Sequence, residues 1–491
     1  MTLNSRSDFS LNYATTVELR AALATRKVSA IEAADHVIAR IEALDGAINA
    51  VVVRDFERAR DAASKADAAL ARGEQRPLLG IPMLIKESFD IAGLPTTWGI
   101  PAFKDWVAKE DALCVTRLKA AGAVVVGKTN VPLLLSEWQS YNEIYGTTNN
   151  PWDLNRTPGG SSGGSAAALA AGFGPLSFGS DIGGSLRTPA HYCGVYAHKP
   201  TLNVIPPRGH RLPNTVQRES DLAVVGPMAR SAADLDLALA VTAGPDEEGN
   251  GIAYRLALPA PRHARLRDFR VLIIDDHPSL PTAHTVRAAL GNLAERLARA
   301  GVKVADTTPL LPDLSESTKL YMHLLFAALA ERWPAETYSE AQAAAEALSS
   351  DDHSLFAERS RGAVLSHREW AIADMARIKL RQQWNALFRE WDVVLCPSMP
   401  TPAFPHDHST PMSARVVDID GKQFPYFDQL AWPEIATTPG LPATAVPVAL
   451  SDAGLPIGVQ IVGPYLEDRT TIAFAGLVER EFGGFVVPPG Y

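Results

Sequence analysis

Cysteine is scarce in this sequence. Cys114, Cys193 and Cys396 are its only three in 491 residues. They are too few and too scattered for a disulfide framework or a zinc site, and such sparing use fits a reducing compartment. A basic excess is also missing. Lysine and arginine number 46 against 55 acidic residues, a formal charge of −9, so the chain lacks the electrostatic footprint that phosphate backbones and anionic membrane surfaces select. No apolar run approaches the roughly 18 residues of a membrane span, and the start from Met1 to Tyr13 has no apolar signal-peptide core. Internal repeats and low-complexity tracts are absent as well. These absences point away from nucleic acid and membrane partners and toward a cytoplasmic enzyme. What is there, 46% apolar and 21% charged residues, is enough to bury a large core.

Periodicity then sets an α/β class. Ser29 with Glu32 forms a capping-box signal, after which Ile31, Ala34, Ile38, Ile41 and Leu44 recur at helical spacing until Gly46, where the helix is expected to end. Ala50–Val53 reads as a strand, Glu57–Arg72 as an alanine-rich helix, and Ile81–Ile85 as a buried strand with Lys86 at its end. Strand ends are where α/β proteins place chemistry. Ala123–Val126 and Pro175–Phe178 read as further strands and Ser165–Ala171 as a helix of small residues. A polar linker, Gly244–Gly251, precedes a second α/β unit with strands at Val271–Ile274 and Val302–Val304 around a helix that Gly301 stops. The chain then turns helical from Ser315 to about Leu380, forms a strand at Val393–Leu395, and passes through a loop with five prolines over 397–412. Ala443–Leu450 and Ile457–Val462 read as a closing hairpin.

The richest stretch is Pro158-Gly-Gly-Ser-Ser-Gly-Gly-Ser165, followed after one short strand by Gly179-Ser-Asp-Ile-Gly-Gly-Ser-Leu-Arg187. Glycine-rich loops between strand and helix bring serine hydroxyls and several backbone N–H groups to one point. A hydroxyl nucleophile with convergent N–H donors is what acyl transfer requires.

These two segments, with the upstream Gly80-Ile-Pro-Met-Leu-Ile-Lys-Glu87, resemble the diagnostic segments of the amidase signature family in order and spacing. The resemblance continues through Gly127-Lys-Thr-Asn130, Asn149-Asn-Pro-Trp-Asp153, Gly226-Pro-Met-Ala-Arg-Ser231 and Gly454-Leu-Pro-Ile-Gly-Val-Gln460. It covers roughly residues 15–245 and 430–480. It implies one domain over 1–491 built on a large mixed β-sheet with helices on both faces, with a variable middle segment, 262–425, that sets substrate specificity. It also implies Ser185 as nucleophile, Ser161 as a bridging serine behind a cis peptide bond, and Lys86 as general base. A lysine accepts a proton only when neutral, and burial favours the neutral form. The N–H groups of Ile182, Gly183, Gly184 and Ser185 would surround the substrate oxygen, with Ser162, Asp181 and Arg187 in support. The resemblance implies hydrolysis of a small-molecule amide, anilide, carbamate or ester by a monomer or homodimer without metal or cofactor. The alternative within the family is the glutaminase subunit of a tRNA-dependent amidotransferase.

Other motifs carry less. Gly122-Ala-Val-Val-Val-Gly-Lys-Thr129 satisfies the phosphate-loop pattern letter for letter, but its β-branched centre reads as strand and not as a glycine-rich turn. Gly159–Gly163 and Gly160–Gly164 satisfy the nucleophile-elbow pattern of α/β-hydrolases, which would make Ser161 or Ser162 the nucleophile and require a downstream histidine. The last histidine, His408, lies in the proline-rich loop. His406-Asp407-His408 lacks a third metal ligand, Cys193 reads as a small buried hydrophobe, and Glu87 as structural.

Overall fold

A computed structural model of the protein describes residues 10–216 and 221–491. Eleven strands form one mixed sheet: β1 (Val51–Arg54), β2 (Pro82–Lys86), β3 (Val124–Thr129), β4 (Leu176–Asp181), β5 (Tyr196–Lys199), β6 (Val224–Ala229), β7 (Arg270–Ile273), β8 (Lys303–Ala305), β9 (Val393–Pro397), β10 (Ala443–Leu450) and β11 (Pro456–Val462). Their spatial order is β1-β3-β2-β4-β6-β5-β10-β11-β9-β7-β8. Strands from both sides of the supposed Gly244–Gly251 linker are thus hydrogen-bonded into the same sheet.

Alternation along one strand shows how the sheet is covered. In β9, Val393 and Leu395 join a cluster with Leu290 and Leu293 of the helix His284–Arg299, whereas Val394 and Cys396 join another with Trp384 and Leu387 of the helix His367–Glu390. Successive side chains point to opposite faces, so both faces are buried under helices. That burial explains why the central strands read as near-continuous apolar runs.

The helix capped by Ser29 and Glu32 runs over Ala30–Ile48, past Gly46, and ends at Asn49 in the left-handed conformation (φ 58°, ψ 47°). Gly46 was expected to end it. Instead, the Asn49 side chain donates to the Tyr145 and Thr147 carbonyls, which fixes the stop three residues further on. The helical stretch after 314 divides into Leu314–Ala330, Ala335–Glu346, Leu355–Ala363 and His367–Glu390. A short hairpin, Val416–Ile419 with Lys422–Pro425, was not foreseen. No helix among the described residues is long and apolar enough to cross a membrane.

Around β2 the packing is close enough to exclude side chains. The helix Gly163–Ala170 approaches the segment after β3 so tightly that a Cβ on Gly164 would lie 2.5 Å from the Asn130 backbone nitrogen and 2.8 Å from its oxygen. Neither atom can yield, since Asn130 N–H is bonded to the Ala50 carbonyl at 2.9 Å. Gly164→Ala is therefore expected to lower stability by about 1–3 kcal/mol, the usual cost of overpacking. A lower urea midpoint at unchanged slope would register it, and an unchanged midpoint would contradict this account.

Candidate active site

Strands β2 and β4 run parallel and adjacent, so their C-terminal ends open on the same side. β2 delivers Lys86 there and β4 delivers Ser180 and Asp181. The segment leading into the helix Gly163–Ala170 brings Ser161 across these ends, and the Gly160–Ser161 peptide bond is cis. Lys86 is fully buried. Its Nζ donates to Ser161 Oγ at 2.7 Å and to Ser180 Oγ at 3.0 Å. Burial pushes the Lys86 pKa well below its ordinary value, with Asp181 opposing only in part. Ser180 was not singled out from the sequence, although it stands inside the second glycine-serine segment.

Asp181 organises the turn that follows. Its Oδ1 accepts from Gly184 N–H at 2.9 Å and its Oδ2 from Leu186 N–H at 3.0 Å. Arg187 binds it bidentately, Nε to Oδ2 at 3.0 Å and Nη2 to Oδ1 at 2.9 Å. Burial alone would raise the Asp181 carboxyl, but the Arg187 guanidinium, with Lys199 and the Leu186 N–H, outweighs it and holds the pKa at about 2. Arg187 in turn reaches Gln460 Oε1 (2.7 Å), Thr437 Oγ1 (2.9 Å) and the Pro433 carbonyl (3.0 Å). Ser162 fastens the two loops together, its N–H donating to the Ser185 carbonyl at 3.2 Å and its hydroxyl to the Ser180 carbonyl at 3.3 Å.

The Ser185 hydroxyl makes no hydrogen bond among the described residues and borders a cavity of about 110 Å³ shared with Ser161, Ser180 and Asp181. Of the four N–H groups expected to converge on a substrate oxygen, that of Gly184 is already committed to Asp181. Those of Ile182, Gly183 and Ser185 carry no partner among the described residues. Two carbonyls of this turn are pinned from outside: Tyr321 donates to Ile182 O at 2.6 Å and Trp138 Nε1 to Gly183 O at 2.8 Å. The C=O and N–H of one peptide point in opposite directions, so Tyr321 also fixes where the Gly183 N–H points. Neither Tyr321 nor Trp138 was legible, because each lies far from the serine loops in sequence.

The rival motifs resolve differently. The phosphate-loop pattern lies mostly within β3, where Lys128 donates to the Pro95 carbonyl and to Thr96 Oγ1. His408 stacks on Tyr141 with ring centres 3.6 Å apart, and His406 pairs with Asn149. No group of three His, Cys, Asp or Glu among the described residues is placed to hold a metal. Cys193 is buried against the Pro158 carbonyl, and burial pushes its thiol pKa well up. Glu87 accepts the backbone N–H groups of Thr97 (2.6 Å) and Trp98 (3.0 Å).

Comparison with known proteins adds four findings. A family model described as Amidase matches residues 32–472, and so runs through the middle stretch in which motifs showed no likeness. The chain is 35% identical over 472 residues to the indoleacetamide hydrolase of Bradyrhizobium diazoefficiens, covering 94% of this chain and 86% of that protein. It is 34% identical over 496 residues to a glutamyl-tRNA(Gln) amidotransferase subunit of Anaeromyxobacter sp. (strain K), covering 96% and 97%. Among solved structures, 6-aminohexanoate cyclic dimer hydrolase complexed with substrate matches with a TM-score of 0.75 at 26% identity, covering 96% of this chain and 98% of that one.

Replacing Arg187 by methionine would strand the Asp181 carboxylate in the interior, a change that typically costs about 3–5 kcal/mol. Chemical denaturation measures it. The sign with pH follows from the depressed carboxyl. Below its ordinary 3.8 the unfolded chain takes up a proton that the folded protein refuses until about 2, so the pair's stabilisation is lost as pH falls through that window. Arg187→Met should show a smaller loss there than the wild type.

Proposed function

The chain belongs to the amidase signature family and is an amidase, and from that premise we propose that it acts through a covalent acyl-enzyme on Ser185, with Ser161 as proton relay and Lys86 as base. The observation that carries the proposal is the 2.7 Å hydrogen bond between the buried Lys86 amine and Ser161 Oγ, on the cavity that Ser185 borders.

In this reading Ser185 Oγ attacks the carbonyl carbon while its proton passes to Ser161, whose own proton passes to the neutral Lys86 amine. The relay needs Ser185 Oγ to meet Ser161 Oγ, and catalytic hydrogen bonds of this kind commonly close only around the substrate. The developing oxyanion falls among the N–H groups of Ile182, Gly183 and Ser185. Each such donor is typically worth about 10²–10³ in rate. Collapse breaks the C–N bond, and the leaving nitrogen takes a proton back through Ser161. Water then hydrolyses the ester at Ser185 by the same route, with no metal or cofactor taking part.

Small-molecule amides are the substrate class, with anilides, carbamates and esters as chemical relatives that pass through the same tetrahedral intermediate. The middle segment, 262–425, is proposed to set the choice among them. Its residues Leu325, Phe326 and Leu329 line the space beside Ser185. The alternative role, as the glutaminase part of a tRNA-dependent amidotransferase, is separated by assaying glutamine-dependent ammonia release alone and with a tRNA-charging system.

The proton path makes two outcomes measurable. Ser185→Ala should lower kcat by at least about 10⁴-fold, and a fluorophosphonate should label wild-type Ser185, read by peptide mapping. Label on Ser161 or Ser162, with Ser185→Ala still active, would replace this mechanism with the elbow reading. In pH–rate profiles, kcat/KM should rise with pH as Lys86 loses its proton, with a midpoint below the ordinary lysine value of 10.5. Lys86→Arg, which stays protonated, should be inactive across the range.

A further inference from the structure

Two cavities meet at Ser185, and their linings differ. The smaller, about 60 Å³, is apolar, with Trp138, Leu325, Phe326, Phe427 and Leu430 beside Gly183. The larger, about 110 Å³, has Ser161 and Ser180, the rings of Trp98 and His210, and the charged Asp221 and Arg332 in its lining. Resting on the mechanism above, the two can be told apart. The proton released by Ser185 must end on the leaving nitrogen, and Ser161 can deliver it only to a nitrogen on its own side. The larger cavity therefore receives the leaving amine and the smaller one the acyl group.

Two rings, those of His210 and Trp98, are part of the lining of the leaving-group side. His210 sits against Phe89 and Trp98, with ring centres 4.6 and 5.0 Å away, and its Nε2 is 3.0 Å from Ser88 Oγ. Trp98 is fixed at three points. Its N–H is held by Glu87 at 3.0 Å, its indole Nε1 donates to the Ser88 carbonyl at 3.1 Å, and the Arg332 guanidinium lies over its ring at 5.8 Å. Residues 87–89, directly after Lys86, thus hold both rings. Burial pushes the His210 pKa well below its ordinary range, and the nearby Arg332 guanidinium adds to it. At neutral pH His210 is therefore an uncharged ring, tilted 41° from that of Trp98 and already locked in place, so an aromatic ring laid against it orders nothing further.

We propose that His210, with Trp98, is the specificity-determining residue of the leaving-group subsite, and that it selects amides whose leaving amine carries an aromatic ring, that is, anilides, over those that release ammonia. The test compares acetanilide with acetamide, which share an acyl group, as a ratio of kcat/KM in the full-length protein. His210→Ala should lower the acetanilide-to-acetamide ratio about tenfold, chiefly through the KM for acetanilide. His210→Phe, which keeps a ring but loses the Ser88 hydrogen bond, should hold the ratio near the wild-type value. If His210→Ala does not fold, His210→Gln carries the same expectation, because it loses the ring and keeps a hydrogen-bonding end. Equal losses on both amides, or an unchanged ratio, would overturn the assignment. If wild-type protein hydrolyses neither amide and takes no fluorophosphonate label, the acyl-enzyme mechanism fails and this inference falls with it. A labelled, active enzyme with an unchanged ratio overturns the inference alone.

Discussion

The Asp181–Arg187 pair is the contact on which the rest of the site depends. One carboxylate closes the 182–186 turn by accepting two of its N–H groups, and one guanidinium ties that turn to Pro433, Thr437 and Gln460, some 250 residues away in the chain. Gln460 passes the tie onward to the Pro397 and Trp432 carbonyls. Buried ion pairs are weak sources of net stability, but removing one partner is costly. Such a pair fixes a geometry more than it strengthens a fold. Here the geometry is the placement of Ser185 relative to the end of β2, where Lys86 emerges.

Three lysines are fully buried, and burial pushes the pKa of each down: Lys86 well below the ordinary value, Lys128 to about 8 and Lys199 to about 7. A lowered pKa therefore does not distinguish the proposed base. Partners do. Lys199 donates to the Pro200 and Leu441 carbonyls, and Lys128 to the Pro95 carbonyl and the Thr96 hydroxyl, with Glu87 and Asp90 nearby. The carbonyls that hold Lys199 only accept and offer it no proton, while the one hydroxyl that Lys128 meets, that of Thr96, is not in the lining of the cavity that Ser185 borders. Lys86 is bonded to two serine hydroxyls, and a hydroxyl both accepts and gives. The difference between a structural and a chemically useful buried lysine lies in that choice of partner.

The parts of the site that lie near one another in sequence were legible, and those that do not were hidden. Lys86, Ser161, Asp181, Ser185 and Arg187 sit in short segments whose residue types announce a strand end or a glycine-serine turn. The glycines were read as a source of conformational freedom. At Gly164 the reason is different, since the backbone of Asn130 leaves no room for a Cβ, and only a three-dimensional neighbour reveals that. The same holds for Gly46, where local pattern suggested a stop and the tertiary bonds of Asn49 moved it. Tyr321, Trp138, Trp98 and His210 have no local signature at all. Each reaches the site from a loop or helix whose own periodicity reports only burial. The phosphate-loop pattern failed for the converse reason: its letters matched while its β-branched centre demanded a strand.

The middle segment cannot vary freely around such a site, because the residues proposed to choose the substrate share a helix with one that shapes the 182–186 turn. Tyr321, Leu325 and Leu329 are spaced four apart on the helix Leu314–Ala330 and so lie along one face. Tyr321 holds the Ile182 carbonyl, Leu325 lines the smaller cavity beside Ser185, and Leu329 borders both cavities. A change that rotated this helix to enlarge a pocket would also draw Tyr321 away from Ile182 and turn the Gly183 N–H out of line. On the proposed mechanism, specificity is therefore open to change by side-chain size at 325, 326 and 329, and closed to change by moving the helix itself. The His210–Trp98 wall is under the same kind of constraint from the other direction, since the residues that hold it immediately follow Lys86. Both pockets are built from elements that the proposed proton path would already fix, so on that proposal selectivity is set by which side chains stand on a rigid frame.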